Sequence, residues 1–211
     1  MRLLGFEDSA LARLRRYREE ANRSLETQRR IRDATRRFSE RVFAGLEYTA
    51  ALGRQSGFVM EVERAKDVLV LRVEAAPGAG GRLTLGVIGG AAAERDEDLM
   101  HEDLSHYSLD PSGYSGRILG WSEEAGEAAC QTFAVYEDGV WKTTGLFVAK
   151  ARGRVDDPDK VLNGFCLRIV GRLVDLAALT GGVGRRWLDE PYTLPDLLSG
   201  KEHPTETRWP R

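Results

Sequence analysis

The sequence predicts an α+β fold, with an antiparallel sheet of about five or six strands between long N- and C-terminal helices. Three observations predict it. Apolar residues recur at three- and four-residue spacing from residue 8 to about 52, with no proline to interrupt them. Residues 58–88 and 131–150 alternate apolar and polar side chains between glycine-containing turns. A second apolar stripe, over 162–179, starts behind Asp157-Pro158 and stops at Gly181-Gly182. On this pattern the 211 residues divide into a long amphipathic, coiled-coil-like helix over 1–52, an α+β domain over 53–183 and an extended tail over 184–211.

The first helix can be capped by Asp8 or Ser9, and its stripe is Leu11, Leu14, Tyr17, Ala21, Leu25, Ala34, Phe38, Val42 and Leu46. The stripe is thin between Ser24 and Arg37. A single amphipathic helix that projects from a domain needs a partner for its apolar face, and a dimeric coiled coil supplies one. Strands follow at 58–63, 68–75 and 82–88, the last closed by Gly89-Gly90. Residues 89–116 are acidic and turn-rich, with a short helix expected over 94–106 and a loop around Asp110-Pro111. Residues 116–121 read as a fourth strand or as the end of that loop. The tail carries Trp187, Leu197, Leu198 and Trp209 among prolines, too apolar for plain disorder and too proline-rich for a long helix.

The hairpin is the stretch richest in information. Gln131 to Glu137 alternates as a strand, Asp138-Gly139 suits a two-residue type I′ turn, and Val140 to Lys150 resumes as a strand. A two-residue loop sets Tyr136 opposite Trp141, Ala134 opposite Thr143 and Cys130 opposite Phe147. Because side chains alternate across a sheet, Cys130, Thr132, Ala134, Tyr136, Trp141, Thr143, Gly145 and Phe147 then share one face. That face is a floor of small residues between aromatic walls. A glycine within a strand often marks the close approach of a ligand or of another backbone. A packed helix and a bound small molecule are both compatible with such a floor, and helix packing is the commoner use. In the second helix, Gly164 and Gly171 lie one heptad apart, where another helix could approach.

Composition bounds the function. A net charge of −2 leaves no global nucleic-acid or membrane footprint. Cys130 and Cys166 are too few for a disulfide framework or a metal quartet and sit in apolar patterns, which suits a reducing compartment. No signal-peptide segment follows Met1 and no run of 18 apolar residues occurs, so a soluble cytoplasmic protein is expected. The high arginine and alanine usage points to a GC-rich bacterial genome.

Several motifs fail on spacing. Gly89-Gly90 lacks the Gly-x-Gly-x-x-Gly pattern of a dinucleotide site, and Gly181 to Arg186 lacks the Lys-Ser/Thr ending of a phosphate loop. His101 and His106 are five apart, which puts them about 140° apart on a helix and not on the one face a zinc helix needs. In a loop they could join Asp103 at a metal, although solvated loop residues are the ordinary reading. No nucleophile stands in an elbow or triad, and no catalytic residue, metal or cofactor is implied.

The order of elements resembles a GAF domain. Phe133-Ala-Val-Tyr-Glu-Asp-Gly-Val-Trp-Lys-Thr-Thr-Gly145-Leu-Phe-Val, followed by the 162–179 helix, is similar to the apolar strand, glycine turn, second strand and exit helix of that family, and the likeness spans about residues 35–180. A bilin-attachment cysteine, an Asn-Lys-Phe-Asp-Glu motif and a proline before the hairpin strand are missing. The resemblance implies a regulatory domain that binds a small molecule or a partner and dimerises through its terminal helices, without identifying the ligand.

The reading is therefore a non-enzymatic sensory or regulatory module, homodimeric through its helices, that binds a small molecule or a protein. Its expected pocket lies between the 107–121 segment and the hairpin face, lined by Tyr107, Tyr114, Trp121, Cys130, Tyr136, Trp141, Gly145 and Phe147. A second reading is an adaptor whose arginine-rich first helix binds nucleic acid or an acidic protein through Arg29, Arg30, Arg36 and Arg37. Glu–Arg pairing on a solvated helix is the ordinary account of those arginines, and they point all round the helix.

Overall fold

The computed structural model describes residues 4–76, 79–88, 94–95, 114–122, 129–178 and 193–201. Helix α1 (Leu4–Gln55) is followed by strands β1 (Val59–Arg64), β2 (Val68–Ala76) and β3 (Ala79–Ile88). The two-residue strand β4 (Glu94–Arg95) precedes β5 (Tyr114–Ser122), β6 (Gln131–Val135), β7 (Val140–Gly145) and β8 (Lys150–Arg154). Helices α2 (Asp159–Ala178) and α3 (Leu194–Leu198) follow among the described residues. The fold is α+β, and all the strand pairings are antiparallel. The sheet is an open meander in the order β1-β2-β3-β5-β6-β7-β8, with β4 paired to β5.

The seven strands along this path exceed the five or six expected. Val140 to Lys150 is not one strand. The chain leaves β7 at Gly145, turns through Leu146–Ala149 and returns as β8. Its sequence, Lys-Ala-Arg-Gly-Arg, has no large apolar residue, so it carries no strand signal. It needs none, because it is an edge strand, and charged residues at an edge discourage pairing with other chains. The short helix expected over 94–106 is replaced at Glu94–Arg95 by a strand pairing, and the rest of that segment lies outside the described residues.

Alternation decides which face of the sheet is which. Leu69, Leu71, Val73, Leu83, Leu85, Ile118, Phe133, Val135 and Trp141 point to one side and meet Phe38, Val42, Leu46, Phe165, Ile169 and Leu173 from α1 and α2. At about 25 cal/mol per Å² of apolar area buried, this one-sided core is the main stabilising term. Small residues let the layers close. A Cβ on Gly45 of α1 would lie 2.7 Å from the Cys166 sulfur of α2, and one on Gly116 of β5 would collide with Thr35. Arg41 of α1 fastens the entry to α2, donating to the carbonyls of Val155 and Asp157 and to the Asp159 carboxylate at 2.6 Å. Asp157 does not cap α2. Its carboxylate accepts from the Arg154 N–H at 2.7 Å instead.

On the opposite face Ile88, Leu119, Trp121 and Ala129 form a smaller cluster, covered by Leu194 and Leu197 of α3. Within the stretch expected as an extended tail, Thr193 and Asp196 build a capping box that starts this short helix. Among the described residues, no helix is long and apolar enough to cross a membrane.

Candidate functional site

The hairpin register differs from the expected one by a single residue. Val135 pairs with Trp141, Phe133 with Thr143 and Gln131 with Gly145. The Tyr136 N–H donates to the Val140 carbonyl at 2.9 Å, and the Gly139 N–H to the Tyr136 carbonyl at 3.0 Å. Glu137-Asp138-Gly139 is thus a three-residue loop, a type I turn closed by Gly139 at φ 76°. Asp-Gly fits this loop as well as the two-residue one. The change of one residue turns every β7 side chain to the other face relative to β6.

The expected pocket lining is therefore divided. Trp141 lies on the helix side, stacked on Phe38 at 5.1 Å between ring centres and 5.3 Å from Phe165. Its indole N–H donates to the Arg154 carbonyl at 3.2 Å. Cys130 and Phe147 are buried in the same core. Trp121 is in the opposite cluster beneath α3. Tyr136 is half-buried on that opposite face, with the Lys142 ammonium 4.8 Å from its ring centre. Tyr114 opens β5, and its side chain, like all of Tyr107, lies outside the described residues.

Gly145 does mark a close approach, and its neighbour is protein. A Cβ there would lie 2.5 Å from the Cys130 carbonyl and 2.7 Å from the Gln131 Cα. Gln131 is the residue the sequence reading passes over. Its amide nitrogen donates to the Thr143 hydroxyl at 2.6 Å and to the Val148 carbonyl at 3.2 Å. Its amide oxygen accepts from the Phe147 and Val148 N–H groups, each at 3.1 Å. A buried amide with every contact made holds the turn between β7 and β8. Its polar type at an inward-facing strand position was the available signal.

A shallow cleft of about 390 Å³ opens over β1–β3 and is lined by Glu61, Arg72, Glu74 and Arg82 among others. None of the expected lining residues borders it. Arg72 bridges Glu63 and Glu61 there, and the hydrogen bond and charge of Glu63 raise its guanidinium above the ordinary value. No group of three or more metal-ligating side chains occurs among the described residues. His101, Asp103 and His106 lie outside them.

Arg29, Arg30, Arg36 and Arg37 are exposed, and three of the four face acids: Arg30 Glu26 at 3.4 Å, Arg36 Glu40 at 3.2 Å, and Arg37 Asp156 at 3.6 Å. Such exposed pairs contribute little stability, but they occupy the charges a phosphate would need.

The most distinctive surface is the N-terminal half of α1. No residue from 9 to 26 is buried, whereas Thr27, Ile31, Ala34 and Thr35 begin the buried stripe. Leu14 is 61% exposed and Leu25 63%, with Leu11 and Tyr17 each at 53%. Over residues 9–26 the helix thus overhangs the domain by roughly 27 Å at 1.5 Å per residue, carrying its apolar stripe uncovered. The solvent side of α2 is also bare. Nothing lies within 4 Å of a Cβ placed on Gly164 or Gly171, so no helix in the described structure uses that gap.

No family model, curated protein or solved structure matches this chain.

Proposed function

We propose that the protein is a non-enzymatic regulatory module, homodimeric through its helices, that relays or receives a signal by binding a partner. One observation carries the reading. The overhang of α1 exposes Leu11, Leu14, Tyr17 and Leu25 on a helix that the domain covers from Ile31 onward. An amphipathic helix with a bare stripe is stabilised by a second helix on that stripe. The favoured partner is a protein rather than a small molecule on the hairpin, because Trp141, Cys130 and Phe147 are already packed by side chains of the core. The element order, entering helix, antiparallel sheet and exiting helix, is what supports the GAF resemblance; it is an order that many antiparallel sheets share.

The test is sedimentation equilibrium of the full chain beside a Leu14→Glu/Leu25→Glu double variant. The wild type is expected to be a dimer and the variant a monomer that still unfolds cooperatively, since neither leucine is buried in the protomer; its melting temperature falls only by what dimer formation contributes. A monomeric wild type at tens of micromolar sinks the reading.

A further inference from the structure

We propose that the β8 edge of the sheet takes up an extended acidic peptide of a protein partner as an added strand, with acidic side chains at alternate positions beside Lys150 and Arg152. This rests on the partner-binding half of the reading above, names the partner's chemistry, and is independent of the dimer.

The first observation is an open ladder. β8 is last in the sheet order, so one of its sides has no strand beside it. Register says which backbone groups are left over. The Val155 N–H donates to the Gly139 carbonyl at 2.7 Å, which makes these two a hydrogen-bonded pair. Bonded and non-bonded pairs alternate along an antiparallel ladder. Trp141–Gly153 and Thr143–Ala151 are therefore bonded, and Lys142–Arg152 and Thr144–Lys150 are not. The N–H and C=O groups of Lys150 and Arg152 thus point away from β7 and off the sheet, and no hydrogen bond to them occurs among the described residues. Arg154 shares their phase, but its N–H donates to the Asp157 carboxylate at 2.7 Å and its carbonyl accepts from the Trp141 indole at 3.2 Å. The ladder is closed at Arg154 and open at Lys150 and Arg152, which is enough for two pairs with an added strand.

The second observation is the charge beside those groups. Lys150, Arg152 and Arg154 are exposed and alternate with Ala151 and Gly153, so they stand on one face about 6.8 Å apart. None of the three forms an ion pair among the described residues. Lys142 stands directly opposite Arg152 on the same face, and like charges so placed destabilise a sheet. An acidic side chain on an added strand falls directly opposite Arg152 on its other side and offsets that repulsion. The single sign that keeps β8 from pairing with most chains admits an acidic one. Charge also argues against other occupants. β8 of a second copy would set cation against cation. The first strand in the sheet order, β1, carries Glu61 and Glu63, but Arg72 already bridges both. A phosphate chain can accept from the open N–H groups, but it offers no donor to the open carbonyls of Lys150 and Arg152. A peptide strand satisfies both.

Fluorescence anisotropy of the full chain with a fluorescein-labelled Thr-Glu-Val-Glu-Val-Glu-Thr peptide is the test. Saturable binding is expected. The same peptide N-methylated at its central Glu keeps its charge and loses a ladder donor, and it is expected to bind about tenfold more weakly or worse. Arg152→Glu, at an exposed position, is expected to weaken the unmodified peptide by a similar factor without changing the melting temperature. Amide exchange read by NMR supplies a second measurement. Lys150 and Arg152 should slow on binding, whereas Ala151 and Gly153, already paired with β7, should not. Equal affinity for the N-methylated peptide would mean attraction without a strand and overturns the proposal. Binding unaffected by Arg152→Glu puts the peptide elsewhere and overturns it too, as does no binding up to about 1 mM peptide. Displacement of the peptide by a lower concentration of oligothymidylate would replace the peptide with a nucleic acid. A dimer by sedimentation that binds no peptide overturns this inference alone, and a monomer that binds it overturns only the dimer.

Discussion

At the scale of single residues, two buried groups set sharp expectations. Gln131 supplies partners to the N–H groups of Phe147 and Val148, which are otherwise closed off from water at the β7–β8 turn. Gln131→Leu keeps much of the volume and strands those donors, each at a cost of about 1–3 kcal/mol. Chemical denaturation is expected to show a loss of about 3 kcal/mol or more, and a loss under 1 kcal/mol would mean that the turn finds other acceptors. Cys166 is the second. Burial raises its thiol from an ordinary 9.0 to about 12, because the thiolate has no water around it; the thiol donates to the Val42 carbonyl at 3.6 Å. The raised value fixes the sign. The unfolded chain loses this proton near pH 9 while the folded one keeps it, so stability is full below that pH and declines until about pH 12. Between pH 9 and 10.5 the contribution is about 2 kcal/mol. Wild type is expected to lose that much more than Cys166→Ala over the same interval, measured by urea titration at each pH. Equal losses would mean that water reaches the sulfur.

At the scale of elements, α3 tests how a five-residue helix is held to a sheet. A Cβ on Gly86 would lie 2.5 Å from the Leu197 methyl and 3.3 Å from the Trp121 ring, so β3 is open at the point where α3 docks. Gly86→Val is expected to lift α3 from the sheet while leaving the helix-side core folded. Faster tryptic cleavage after Lys201 at an almost unchanged melting temperature is the readout, and unchanged cleavage would show that Leu197 simply moves aside. Acid acts on the same element. Hydrogen bonds from the Thr193 N–H and hydroxyl, with one from Lys201, lower Asp196 from 3.8 to about 2. Its capping contribution is therefore present above pH 3.8 and lost as pH falls through 2. These elements also mark what the sequence made legible. Helices α1 and α2 and strands β1–β3 are long and periodic, and they stand within a few residues of their expected bounds. The others escape for physical reasons. β8 is charged because it is an edge, α3 is too short to show a period, and Asp-Gly serves loops of either parity. The last of these scattered the expected pocket, because the faces of a hairpin depend on whether its loop is odd or even.

At the scale of the whole molecule, α1 joins two regimes in one rod. Its C-terminal part is fixed by the sheet and α2, with Phe38, Val42 and Leu46 fully covered. In its N-terminal part no residue from 9 to 26 is buried, and the buried stripe begins at Thr27. Helix formation is cooperative, so the embedded part nucleates the overhang, but an uncovered stretch of this length is of marginal stability on its own and frays from its free end. On the proposed reading, a second copy adds the apolar burial that holds it. Amide protection should therefore depend on protein concentration in one half of the helix and not in the other. If the chain dimerises as proposed, hydrogen exchange measured across a wide dilution series is expected to leave residues 31–50 protected throughout. Residues 9–26 should lose protection progressively as the dimer dissociates, and Leu14→Glu/Leu25→Glu should show the dilute-limit pattern at every concentration. The difference matters for function. If the proposed dimer forms, the state of assembly reaches the domain at residues 27–31, where covered and uncovered stripe meet. If the overhang stays equally protected at all dilutions, it is either intrinsically stable or covered within its own chain, and the continuous rod ceases to be a reporter of assembly.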